Sequence, residues 1–121
     1  MRLTVPPEDA EQMIVIQWRD LMLSRYPELR WLYHTPNGGH RSKSEAVRFR
    51  RLGVHPGVSD LFLPVARKGY HGLWIEMKRK KGGRLSPDQK QWLEDMTSNG
   101  YLALRADGAD EAIGILEEYL S

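Results

Sequence analysis

The run WIEMKRK, residues 74–80, sets an acid and a base into a stretch that otherwise has the bulk of a sheet interior. Leu73, Trp74, Ile75 and Met77 suit a strand packed on its faces. Glu76 and Lys78 do not, because each would cost several kcal/mol if buried without a partner. A strand here therefore requires something that compensates both charges.

Upstream, residues 60–65 (DLFLPV) form a second apolar run, joined to 73–78 by the turn-like ARKGYHG. The connection is short enough for a direct antiparallel hairpin. With the turn centred near Lys68, paired residue numbers sum to about 136, which sets Asp60 opposite Glu76 and Phe62 opposite Trp74. Alternation then gives Asp60, Phe62, Trp74, Glu76 and Lys78 one face, and Leu61, Leu63, Val65, Leu73, Ile75 and Met77 the other. Two carboxylates side by side repel each other unless a cation sits between them. Mg²⁺ or Mn²⁺, hard ions that take oxygen ligands, would meet that need, with the backbone carbonyl of Met77 as a further ligand nearby. Lys78 is placed to hold an attacking water or to offset charge building on a phosphate. These are the parts of a metal-dependent phosphodiesterase. Taken alone the D…ExK pattern is short, and it also fits an exposed edge-strand ion pair with Asp60 capping a loop.

The remaining elements follow from caps and breakers. Thr4–Pro7 looks like a helix start, with Glu8, Asp9 and Glu11 complementing the dipole; the helix is expected to run to about Tyr26, before Pro27. A short strand, Trp31–His34, leads into the loop TPNGGHR. Ser42 and Glu45 have capping-box spacing and predict a helix over Lys43–Leu52 ended by Gly53. SPDQ, residues 86–89, predicts another that lasts until Asn99, with Gly100 closing it. Tyr101–Arg105 reads as a strand, and Asp107 as the cap of a final acidic helix ending near Tyr119. The order implies an α/β fold, a mixed sheet with helices on its faces, in one domain over residues 1–121. Trp31 and Trp92 are expected in the core.

There is no cysteine, which excludes disulfides, thiolate metal sites and cysteine nucleophiles. No apolar run approaches a membrane span, and MRLTVPPEDAE lacks the apolar stretch of a signal peptide, so a cytoplasmic protein without a membrane partner is expected. Net charge is only +2, yet residues 41–90 hold 13 Lys or Arg against 4 Asp or Glu, while the flanks hold 5 against 12. A basic centre between acidic ends suggests a face for a polyanion, nucleic acid first among them.

From PNGGHR through LGVHPGVSDLFLP, YHGLWIEMKR and LSPDQKQWL to GY and EEYL, the chain resembles the VRR-NUC domain, a branch of the PD-(D/E)XK nucleases with a restriction-endonuclease-like fold. The resemblance covers nearly all 121 residues, with the motifs in the family's order. It implies a Mg²⁺- or Mn²⁺-dependent DNA endonuclease, selective for branched DNA in the manner of a Holliday-junction resolvase and acting as a homodimer. Carried over, Asp60 and Glu76 match the family's metal carboxylates, Lys78 its catalytic lysine, and Gln89 a glutamine that recurs after the core. Glu8, with Gln12 four residues on, fits a first-helix glutamate; Glu11 lies on much the same helical face and stays open as the ligand. Ser59 stands where the family commonly has proline, so the eponymous PD is SD here.

Other residues have weaker claims. Gln89 is explained equally well by its capping box, and Glu8 and Glu11 by the helix dipole. Asn37, Gly38 and Gly39 would offer backbone N–H groups to a phosphate. Arg41, Lys43, Arg48, Arg50, Arg51, Arg79, Lys80, Lys81 and Arg84 would contact the DNA backbone. His34, His40, His55 and His71 have no zinc-like spacing. The alternatives are a DNA-binding module that keeps the fold without cutting, and a sequence-specific restriction-type endonuclease.

Overall fold

The computed structural model describes residues 4–36 and 42–121. The first helix, α1 (Glu8–Leu21), starts after Pro7 with Glu8, Asp9 and Glu11 in its first turn, where carboxylates oppose the positive end of the dipole. It ends five residues earlier than expected. Pro27 keeps Tyr26 out of helical backbone (φ −125°, ψ 79°), and the last turn unwinds ahead of it. A 3-10 helix, Pro27–Trp31, follows and buries Leu29, with Leu32 just beyond it. That three-residue period turns Trp31 outward. It is 46% exposed, with the Arg30 guanidinium 4.4 Å from its ring centroid, so the expected core position is wrong. The expected strand shrinks accordingly to β1 (Tyr33–His34).

Ser42 caps α2 (Lys43–Arg51), its hydroxyl accepting from the Glu45 N–H at 3.2 Å, and no residue of α2 is fully buried. The hairpin follows as β2 (Leu61–Leu63), shorter than expected, and β3 (Leu73–Lys78). Ser86 and Gln89 form a complete capping box at the start of α3 (Pro87–Ser98). Beyond Gly100 come β4 (Leu102–Asp107) and α4 (Ala109–Leu120). Asp107 is the last strand residue and not the cap of α4; the N-cap is Gly108, with φ 92°, which has no side chain to offer.

Among the described residues four strands lie in the order β1-β2-β3-β4, antiparallel for the first two pairings and parallel for the last, with α3 as the crossover. Phe62 pairs with Trp74 and Leu61 with Ile75, the expected register. The route to it is less simple than a turn centred on one residue. Lys68 (φ 53°) and Gly69 (φ 86°) form a two-residue turn closed by a bridge between Arg67 and Tyr70. Continued unchanged, that bridge would set Asp60 opposite Met77 and reverse its face relative to β3. One extra residue on the β2 side restores the register. It is absorbed at Pro64, where the Val65 N–H bends back to the Leu63 carbonyl at 2.9 Å.

The two faces of the sheet then diverge. Leu61, Leu63, Leu73, Ile75 and Met77 are fully buried and pack with Val15 of α1 and Ala112, Leu116 and Tyr119 of α4. The opposite face carries a smaller aromatic layer under α3: Phe62 stacks on Trp74 at 4.0 Å, and Trp92 meets Trp74 edge-on at 5.2 Å. Trp92 belongs to this layer and is only partly buried. No helix among the described residues is long and apolar enough to cross a membrane.

Candidate active site

The aromatic face ends, beyond Phe62 and Trp74, in Asp60, Glu76 and Lys78. Asp60 lies just before β2, and its backbone carbonyl accepts both the Thr35 N–H at 2.8 Å and, because a carbonyl can only accept, the His34 Nδ1–H at 2.9 Å. Its side chain reaches past the end of β2 to β3, where Oδ2 accepts the Met77 N–H at 2.7 Å. Within a strand the N–H and C=O of one residue point to the same side, so the Met77 carbonyl also faces this end of the sheet.

Glu76 is 1% exposed and its Oε1 has no hydrogen-bond partner among the described residues. Burial above all, and then the hydrogen bond and charge of Asp60, push its carboxyl up to about 9, while Lys78 pulls the other way. Glu8, half-exposed at the start of α1, has its carboxyl raised chiefly by burial. Oxygen atoms of Glu8, Asp60 and Glu76 all lie within 4.8 Å of one another. Three carboxylates this close, one of them buried with a vacant oxygen, form a donor set that a hard divalent cation fits and that a lone ammonium does not satisfy.

Lys78 is 6% exposed. Its Nζ donates to Gln89 Oε1 at 3.0 Å and lies 3.9 Å from both Glu76 Oε2 and Glu8 Oε2. Gln89 Oε1 also accepts the Ser86 N–H at 2.9 Å, so one oxygen closes the capping box and holds the lysine. The loop after β3 folds back over this group: a Cβ on Gly83 would fall 2.9 Å from Lys78 Cβ, a close approach only glycine permits. Arg105, the register neighbour of Glu76 on β4, fastens the loop by donating to the Gly83 carbonyl at 2.8 Å.

Glu11, the other first-helix candidate, is directed elsewhere and does not join the three acids. Its buried carboxylate accepts the Ala109 N–H at 2.9 Å and so supplies, from α1, the cap that α4 lacks locally. Gln12 lies on the outer surface of α1 beside Met13 and Ile16. Ser59 is fully buried and its hydroxyl finds no partner among the described residues. Among the described residues no histidine joins the acidic group. Lys43, Arg48, Arg50 and Arg51 are exposed on α2, and Arg79, Lys80, Lys81 and Arg84 on the loop after β3. Asn37, Gly38, Gly39 and Arg41 lie outside the described residues.

Comparison with known proteins agrees with this arrangement of strands and helices. Residues 7–110 match the VRR-NUC domain. The chain belongs to the VRR-NUC family. A solved structure described as a VRR_NUC domain protein superposes with a TM-score of 0.84 at 32% identity, over 98% of this chain and 91% of the other. No curated protein matches. As a VRR-NUC member the chain is a nuclease domain of the PD-(D/E)XK type, and DNA is the substrate class that goes with it.

The supporting residues were the least legible ones. His34, Arg105 and the cap made by Glu11 act through contacts between distant segments, and nothing in their local sequence signals them. The bond from Lys78 to Gln89 had a signal, the recurring glutamine, but the capping box explained that residue equally well.

Proposed function

We propose that this VRR-NUC domain is a Mg²⁺- or Mn²⁺-dependent endonuclease that hydrolyses phosphodiester bonds in branched DNA, working as a homodimer. The observation that carries the reading is the convergence of Glu8, Asp60 and Glu76 beside Lys78. Those three carboxylates, with the Met77 carbonyl, are the residues that would hold the cation. When bound, the cation neutralises the acids and polarises the phosphate as a Lewis acid.

The chain's own groups do the rest. Lys78, held by Gln89 and short of bulk water, donates to the attacking water or to a phosphate oxygen gaining negative charge. Asp60 is kept in place through its backbone carbonyl and through Met77 N–H, so little reorganisation accompanies the reaction. Lys43, Arg48, Arg50 and Arg51 on one side, and Arg79, Lys80, Lys81 and Arg84 on the other, draw in the DNA backbone without reading sequence. A domain this small has little surface with which to hold a four-way junction, and a two-fold dimer presents two sites to two strands.

The test is to incubate the protein with end-labelled four-way junction, flap and linear duplex in Mg²⁺, Mn²⁺ or EDTA, with sedimentation measured in parallel. Cleavage of the branched substrates in either metal and none in EDTA is expected, from a dimer. Binding in every condition with cleavage in none would mean a non-cutting module. Cuts at one fixed sequence in linear duplex would mean a restriction-type enzyme.

A further inference from the structure

A cavity of about 380 Å³ opens between α2 and the first turn of α3. Its size falls in the range of about 300–1,000 Å³ usual for pockets that take small organic groups. Phe49 from α2 and Val54 and Pro56 from the loop beyond it form apolar walls, while Arg50, His55 and Asp88 bring polar groups to it. The loop is seated tightly on α3. Gly57 has φ 84°, and a Cβ there would fall 2.4 Å from the Asp88 carbonyl oxygen, so the loop meets α3 through a contact that excludes any side chain.

The cavity borders the acidic site through both of its supports. The loop that carries Val54 to Gly57 runs directly into Asp60, and Asp88 precedes Gln89, whose side chain holds Lys78. A strand engaged at the acidic site would pass segments 54–60 and 88–89, which also line or adjoin the cavity. The surroundings suit a polyanion: Lys43, Arg48, Arg50 and Arg51 all project from α2 against a single acid, Glu45. The interior suits a flat aromatic group, with the Phe49 side chain on one wall and the His55 ring, 5.3 Å from Trp92, on another.

We propose that this cavity receives an unpaired nucleobase, guanine by preference, from the DNA strand engaged at the acidic site; the proposal rests on the nuclease reading above. Apolar walls take the base, and Arg50 meets the phosphate of the same nucleotide. The Asp88 side chain makes no hydrogen bond or ion pair with the described residues, and a carboxylate offers acceptors only. Guanine presents N1–H and its 2-amino group side by side, the pair of donors that a carboxylate takes with both oxygens. His55 Nδ1 donates to the Pro56 carbonyl at 2.8 Å, which leaves Nε2 of the neutral ring as an additional acceptor. A base inside duplex has its pairing edge occupied and must first be unstacked and unpaired, so flaps, bulges and junctions are favoured.

The experiment is fluorescence anisotropy in EDTA with a flap DNA in which guanine, inosine or an abasic unit occupies each of the first four unpaired positions in turn. At one position guanine should bind about tenfold more tightly than the abasic unit, with inosine between them. Asp88→Asn should erase the difference between guanine and inosine while keeping base over abasic unit. Phe49→Ala, checked for folding by circular dichroism, should erase the latter. Equal affinity for all three at every position, or an unchanged guanine preference in Asp88→Asn, overturns the proposal. Cleavage of all three substrates alike in Mn²⁺ would leave the nuclease reading standing without the pocket, and failure to bind any DNA would remove both.

Discussion

Strand β3 has two faces that obey different rules within six residues. Leu73, Ile75 and Met77 point into the main core, fully buried and packed among apolar side chains. Trp74, Glu76 and Lys78 point the other way, into a thinner layer that holds buried charge, a carboxyl shifted far from its ordinary value and an unsatisfied oxygen. The contrast teaches that the period of two along a strand separates stability from chemistry. The core face supplies rigidity, and the other face uses it to hold groups in an arrangement that would not persist in water.

If that division is right, substitutions on the two faces should fail differently. The largest effect belongs to the chemical face: Asp60→Asn, Glu76→Gln and Lys78→Ala should each lower cleavage by roughly a thousandfold or more in a labelled-DNA assay. Affinity for DNA should change little, because exposed Lys and Arg supply most of it. Normal cutting by any of the three would break the assignment. On the core face Ile75→Ala should cost about 2–5 kcal/mol in a denaturant melt, through transfer and cavity terms, with residual activity tracking the folded fraction.

The pH dependence sharpens the comparison further. Glu76 titrates near 9 in the fold against an ordinary value of 4.5. Its protonated form is the one the folded chain favours, so its contribution to stability is complete below the unfolded value and declines as pH rises toward the folded one. The metal-free protein should therefore melt at falling temperature between about pH 5 and pH 9, and Glu76→Gln should flatten that slope. Mn²⁺ competes with the same proton, so its stabilising effect should grow with pH over the same window. A flat melting profile in the wild type would show that the buried carboxyl is not held neutral.

Two glutamates three residues apart on α1 allow a smaller and cleaner contrast. Glu11→Ala strips the cap from α4 and leaves a buried N–H unpaired, which should cost about 1–3 kcal/mol of stability. Glu8→Gln should leave the melt almost unchanged and lower cleavage. Smallest of all, Lys80→Ala should reduce DNA affinity a few-fold and lower the slope of log K against log salt by about 1.

Much of this was legible in local sequence because the rules involved are local. Alternation along 60–65 and 73–78 separated the two faces. The capping boxes at Ser42 and Ser86 placed the starts of α2 and α3, since a cap satisfies backbone donors within its own turn. The acids and lysine of the hairpin were legible too, as charges that a buried strand cannot carry unaided.

What the chain alone left open was decided by contacts between segments far apart in it. Nothing around Pro64 announces the extra residue that restores the hairpin register, yet without it Asp60 and Glu76 would face opposite sides of the sheet. Glu8 and Glu11 look alike from the helix they share; only the packing of α1 on α4 sends Glu11 to Ala109 and leaves Glu8 beside Lys78. Trp31 has the composition of a core residue, but the turn enforced ahead of it points it at solvent. A sequence states which groups will be costly to bury, and the tertiary structure selects which of them meet, because register and helix packing are settled by the whole core at once.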